Sequence, residues 1–313
     1  MPSQLTGSET FVETGEERRR AWVVHDRSRH KILRVEGGRY AKVVKRSADP
    51  ASHVWTIRNR VVWRHLSRLP HPGLMRVYER VTDRDGDEGF LCEGLDDHPL
   101  GAGIHPAAMT LGGFLLTCER LAEAAGHMHE HGFVHGDITP GNVCFRRDGT
   151  PVLIDLDTSV RIGKGLRYPG ERGGECVILT PACCSPEQAM GHPVYPQSDV
   201  YCLALTMLSW VSGAYGMVGP GTGGTDQLIA LCRNGAYPHW SVIDRRLRHG
   251  PSLTVFAQAL DPHQIDRFDN GAEFADRLRR VRTGLSKAAF SSVLPSDPLT
   301  PVTVRRDAET MTF

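Results

Sequence analysis

The chain has 313 residues, 23% of them charged, and a formal net charge of +1. That length can bury a substantial core, and a two-part catalytic unit with short tails fits it. A charge so near zero supplies no global field to gather nucleic acid, and no apolar run is long enough to span a bilayer. The eight cysteines, at 92, 118, 144, 176, 183, 184, 202 and 232, contain no Cys-x-x-Cys pair. Their spacing supports neither a zinc site nor a disulfide framework. Reduced thiols are the simpler reading, and with no hydrophobic signal core at the N-terminus the expectation is a soluble cytoplasmic protein without a membrane partner.

Residues 1–17 are polar and rich in Ser, Thr, Glu and Gly, the composition of a disordered arm. Three strand-like runs follow, Arg20 to His25, Lys31 to Glu36 and Arg39 to Lys45, the last two joined by the hairpin signal Gly37-Gly38. The turn between the first two, AspArgSerArgHis, contains no glycine. Arg27, Arg29 or His30 could lend charge to a phosphate there; an ordinary solvated hairpin is the alternative. Lys42 and Lys45 lie on opposite faces of their strand, being three residues apart. From Ser52 to Leu69 apolar residues recur at helical spacing, and His71-Pro72 closes the run. That helix carries Arg60, Arg64 and Arg68 in a like-charge row, either a solvated face or a docking surface for an acidic or phosphorylated partner. No Asp or Glu occurs from Pro50 to Tyr78. Leu74 to Thr82 and Gly89 to Cys92 read as two further strands, and Leu111 to His129 as a long apolar helix beyond a polar linker.

The stretch Val134 to Asp157 carries the chemistry. Asp137 stands five residues before Asn142, and an apolar strand, Val152 to Ile154, then delivers Asp155. An amide oxygen and a carboxylate are the hard ligands that a phosphate-bound magnesium ion accepts. A second carboxylate, Asp137, could orient a hydroxyl or take its proton, an arrangement suited to phosphoryl transfer. Downstream lie ThrProAlaCysCysSerProGlu at 180–187 and SerAspValTyr from 198. The run GlyProGlyThrGlyGly at 219–224 follows a helical pattern, not a strand, and reads as an ordinary connection. Helices are expected at 226–233, 252–260 and 271–281, with a flexible Ser/Thr/Pro-containing tail at 284–313.

In this order the motifs resemble the catalytic loop, the DFG site, the APE segment and the helix after it in the eukaryotic-like (Hanks-type) serine/threonine protein kinases, the bacterial ones in particular. The resemblance implies an α+β, two-lobed fold. The N-lobe, 18–94, would hold a small antiparallel sheet with one helix; the C-lobe, 95–283, would be mainly helical. It implies ATP and Mg2+ as cofactors and a protein substrate, with no nucleic acid. Asp137 would be catalytic, and Asn142 and Asp155 would hold the metal. Lys42, which ValVal follows as apolar residues follow the family lysine, would grip the phosphates. Cys92, Glu93 and Leu95 would form the hinge that meets adenine. Thr180 would touch the catalytic aspartate, Glu187 would pair with Arg267, and Asp199 would accept hydrogen bonds from the catalytic-loop backbone. His135, Leu156 and Leu66 match positions that stack between the lobes.

Several residues depart from the family pattern. The phosphate loop lacks glycine, Val62 takes the slot of the glutamate that pairs with the lysine, and Gly136 replaces an arginine that answers a phosphorylated activation loop. Thr139 replaces a lysine, and Asp157 replaces the glycine of DFG. These departures keep two other functions open. One is a pseudokinase acting as a nucleotide-binding scaffold; the other is a small-molecule phosphotransferase, which HisGlyAsp and ProGlyAsn also resemble.

Overall fold

The computed structural model describes residues 7–15, 17–26, 30–46, 64, 67–95, 109–146, 148–169, 175–177, 180–212, 230, 232–233 and 247–294. Most of the helix expected from Ser52 to Leu69, with Arg60, Val62 and Leu66, lies outside them. So do Arg27 and Arg29, the connection at 219–224 and most of the helix expected at 226–233. The chain divides into two compact units, the first built from residues up to Asp97 and the second mainly from those that follow.

The first unit is an antiparallel sheet of β1 (Glu9–Thr14), β2 (Glu17–Asp26), β3 (His30–Val35), β4 (Arg39–Val44), β5 (Val77–Asp83) and β6 (Glu88–Cys92). It closes as a barrel in the order β1-β2-β3-β4-β6-β5. Alternation in the strands explains its interior. Leu33 and Val35 on β3 and Ala41 and Val43 on β4 point to one face and join Val12, Ala21, Val81 and Leu91 in a single apolar cluster. The register agrees, with Leu33 opposite Ala41 and Ala41 opposite Leu91.

The expected antiparallel sheet is present and closes into a barrel, and the strand that closes it comes from the arm expected to be disordered. β1 pairs with β2 along its whole length and reaches β5 through Val12 and Glu13. Its inward residues are Val12 and Thr14, both buried. Threonine is β-branched and suits a strand while counting as polar in composition, which hid the element. Phe11, on the other face, lies beneath the Arg18 guanidinium.

One end of the barrel holds an ionic cluster. Lys31 Nζ lies 2.6 Å from Asp83, 2.6 Å from Asp85 and 2.8 Å from Asp87. Asp83 also accepts the backbone N–H groups of Asp85 and Asp87, which folds the turn onto the lysine. Burial opposes the Lys31 charge, but the three carboxylates prevail and raise its pKa.

In the second unit, α1 (Leu111–Glu130) is capped by Thr110 Oγ1, which accepts the Gly113 N–H at 3.1 Å. It is followed by α2 (Pro186–Ala189), α3 (Pro196–Ser212), α4 (Gly250–Ala259), α5 (Gly271–Thr283) and α6 (Lys287–Phe290). Phe114, Leu121 and Met128 of α1, Tyr201 of α3, Phe256 of α4 and Phe274 of α5 form its core. Glu119 ties α1 to α5 by accepting from Arg279 at 2.9 Å and Arg282 at 2.7 Å. The tail is ordered at its start, contrary to expectation. Leu111 N–H donates to Ser292 O, Leu294 N–H donates to Met109 O, and Leu294 is buried. Buried Leu294 anchors a segment whose average composition reads as loop. Among the described residues no helix is long and apolar enough to cross a membrane.

Candidate active site

The site grows from a loop between two short pairings. β7 (Phe133–Val134) leaves α1 and pairs with β10 (Val160–Arg161), while β8 (Val143–Phe145) pairs with β9 (Pro151–Leu153). In the second pair Val143 faces Leu153, and Ile154 N–H donates to Asn142 O at 2.9 Å. The hairpin register therefore brings Asn142 beside the residue that precedes Asp155. Asp155 has φ 61° and ψ 58°, a left-handed backbone uncommon outside glycine. Such conformations cost energy and collect at functional sites.

Asp137 is half-buried at the centre. Its Oδ2 accepts from Asn142 Nδ2 at 3.0 Å, and its Oδ1 accepts from Thr180 Oγ1 at 2.8 Å. Asn142 Nδ2 also donates to Asp137 O at 2.8 Å. With the amide nitrogen turned to Asp137, the Asn142 oxygen is the atom that could meet a cation. Burial pushes the Asp137 carboxyl above its ordinary range, and the nearby Asp155 charge adds to that; Thr180 and Asn142 act against it.

The loop beneath these residues is held from inside the unit. Asp199, on α3, accepts from His135 N–H at 2.6 Å, Gly136 N–H at 3.0 Å and His129 Nε2 at 3.0 Å. Gly271 N–H donates to His129 Nδ1, which leaves Nε2 as the protonated nitrogen facing Asp199. Burial alone would raise the Asp199 carboxyl; the His129 and Gly136 hydrogen bonds bring it below the usual carboxylate value. His135 is fully buried and its Nε2 lies 3.1 Å from Ile154 O. Thr158 Oγ1 donates to His135 O at 3.1 Å. Gly136 has φ 81°, and a Cβ there would sit 3.0 Å from Thr158 O. The glycine in place of arginine is thus demanded by this backbone.

Glu187 and Arg267 form the expected pair, with two contacts at 2.8 and 3.1 Å. The other three Arg267 N–H groups donate to the carbonyls of Asp261, Gln197 and Pro262, so all five donors are used. Glu187 falls below the ordinary carboxylate range: burial opposes the shift and Arg267 outweighs it.

In the first unit Lys42 is half-buried on β4, opposite Ile32 and Phe90, between Ala41 and Val43, which face the barrel interior. Its rival Lys45 is paired with Asp26. Cys92 ends β6, and Glu93 is tied to Arg76, donating its N–H to Arg76 O at 2.9 Å and accepting the Arg76 N–H on Oε1 at 2.8 Å. Leu95, just beyond the strand, is half-buried. The second unit thus gathers Asp137, Asn142, Asp155 and Thr180. The motifs did not single out His129, Thr158 or Gln188. For Gln188 a signal existed, since Ser185-Pro186-Glu187-Gln188 has capping-box spacing.

No model of a known protein family matches the chain. Individual proteins do. The chain is 32% identical over 160 residues to the DNA damage-responsive serine/threonine-protein kinase RqkA of Deinococcus radiodurans, covering 50% of this chain and 23% of that protein. It is 28% identical over 273 residues to the serine/threonine-protein kinase PknA of Mycobacterium tuberculosis, covering 86% and 61%. With the serine/threonine-protein kinase PksC of Streptomyces coelicolor it shares 28% over 251 residues, covering 74% and 42%. Several bacterial Hanks-type serine/threonine protein kinases are thus homologues of the chain at 28–32% identity. A kinase-like fold follows from that relationship, and the mixed helix and strand content agrees with it. The chain spans less than two thirds of the length of each of these three kinases.

Proposed function

We propose that the chain is a divergent two-lobed protein kinase that transfers the γ-phosphoryl group of ATP to serine or threonine on a protein. The observation that carries this reading is the junction at Asp137, whose carboxylate meets Asn142 on one oxygen and Thr180 on the other. Asp137 would orient the acceptor hydroxyl and receive its proton as the oxygen attacks phosphorus, and the raised pKa favours that acceptance. Thr180, from the segment that precedes Glu187, would hold the carboxylate in one rotamer. The oxygens of Asn142 and Asp155 fit a hard divalent cation, and the crowding of Asp137 by Asp155 is the kind of charge such a cation would relieve. Magnesium bound there would neutralise phosphate charge. From the first unit, Lys42 is assigned to the α- and β-phosphates and the backbone of Cys92, Glu93 and Leu95 to adenine.

A pseudokinase is the second reading. It is favoured by the buried Thr139, where the family has a lysine two positions after the catalytic aspartate, and by the turn without glycine, Val62 and Asp157. Incubation with magnesium and γ-labelled ATP, with and without casein, beside Asp137→Ala, separates the two. Label in protein that the substitution abolishes supports the kinase. Nucleotide binding without transfer supports the scaffold, and transfer only to a small hydroxyl or amine acceptor sinks the protein-substrate assignment.

A further inference from the structure

We infer that Gln188 is a positioning residue, the side chain whose amide fixes the peptide between Gly136 and Asp137 and so aims the Asp137 carboxylate. This rests on the phosphotransfer reading above, but its structural half stands on separate observations.

Gln188 closes the cap of α2. Its Oε1 accepts the Ser185 N–H at 2.9 Å, and its own N–H faces Ser185 Oγ at 3.4 Å. Cys202 Sγ donates to the same Oε1 at 3.1 Å. With two donors on Oε1, the amide nitrogen must be the atom that meets Gly136 O, at 2.7 Å. Capping requires only an acceptor, and glutamate serves equally well in that role. The donor half of the amide is needed solely by the loop. Gln188 is 2% exposed, so water is not at hand to replace it.

Gly136 O and Asp137 N–H belong to one rigid peptide plane. Gln188 holds the oxygen, and the N–H donates to His135 Nδ1 at 3.3 Å. Fixing both ends sets the rotation of the plane, and with it the direction in which Asp137 leaves the main chain. The clamp matters because Gly136, at φ 81° and without a Cβ, offers little resistance of its own to a peptide flip.

Gln188→Glu separates capping from aiming. The carboxylate keeps an acceptor for Ser185 and Cys202 but turns an oxygen toward Gly136 O; protonated, it regains a donor. Label transfer to casein at neutral pH is expected to fall about tenfold or more in kcat with the KM for ATP within about threefold. Transfer should recover as pH falls toward about 5.5, a rise the parent chain lacks. Hydrogen exchange at the Asp137 amide should quicken at neutral pH while exchange in α3 is unchanged. A kcat within about twofold of the parent at every pH, with unaltered exchange, overturns the inference. So does a loss that is equal at all pH and tracks the fraction of unfolded protein. If the glutamate variant does not fold, exchange in Gln188→Met decides: a rise confined to residues 134–142 supports the clamp, and one spread through α2 and α3 overturns it. If the parent transfers no label, the kinase reading falls, and the exchange comparison alone upholds or overturns the clamp.

Discussion

Three acidic side chains of the second unit occupy two contrasting settings. Asp199 and Glu187, in the supporting helices, are buried, and each is answered: Asp199 by two backbone N–H groups and His129, Glu187 by a doubly bonded Arg267. Both sit below the ordinary carboxylate range despite burial. Asp137, in the loop they support, has a neutral amide, a hydroxyl and another carboxylate for company, and its pKa moves up. Satisfied charges build the frame; the crowded one is left with an affinity for a proton or for a cation. Perturbed groups of this second kind are the ones that do chemistry.

The largest break in that comparison is Asp137→Ala. It should lower kcat for label transfer by about 10³-fold or more while urea unfolding shows no loss of stability, since the carboxyl removed is one whose charge burial and Asp155 disfavour. Next comes Arg267→Met, which strands Glu187 without its partner. It should cost about 3–5 kcal/mol in urea unfolding, the range for breaking a buried pair. Gly136→Ala should cost about 1–3 kcal/mol by the same measurement, from positive φ and the approach to Thr158 O, and should also lower transfer.

A smaller effect sharpens the sign. A carboxyl whose folded pKa is raised costs stability above that pKa and nothing below its unfolded value, which is about 4. Asp137→Asn should therefore raise the urea midpoint at neutral pH, and the gain should vanish as pH falls to about 4. Asp199 and Glu187 run the other way: their contribution is present above about 4 and is lost as pH falls through their lowered folded values. The smallest change is at Lys45: Lys45→Met should cost less than about 1 kcal/mol in urea unfolding, the worth of its exposed pair with Asp26, and leave transfer intact.

The sequence made the second unit's loop legible because its residues act at short range. Asp137, Asn142 and Asp155 are joined by one turn and one hairpin, and Thr180 and Glu187 stand in a recognisable segment. It concealed features that depend on contacts far along the chain. His129 meets Gly271 across 142 positions, and Gln188 meets Gly136 across 52. Nothing in local periodicity reports such contacts. The barrel closure was missed for another reason: Thr10, Val12 and Thr14 alternate as a strand should, but polar composition outweighed a pattern of only six residues. Gly136 read as the loss of an arginine that answers a phosphorylated activation loop, and only its φ revealed a backbone requirement.

The central claim divides two roles between neighbouring oxygens, metal-nucleotide holding at Asn142 and Asp155 and acceptor activation at Asp137. Its most direct test is calorimetric binding of ATP with magnesium to the parent, Asp155→Asn and Asp137→Asn chains, paired with single-turnover label transfer to casein. The account predicts that Asp155→Asn loses both binding and transfer, whereas Asp137→Asn binds about as tightly as the parent and transfers almost nothing. Binding unchanged in Asp155→Asn, or transfer surviving in Asp137→Asn, would contradict it.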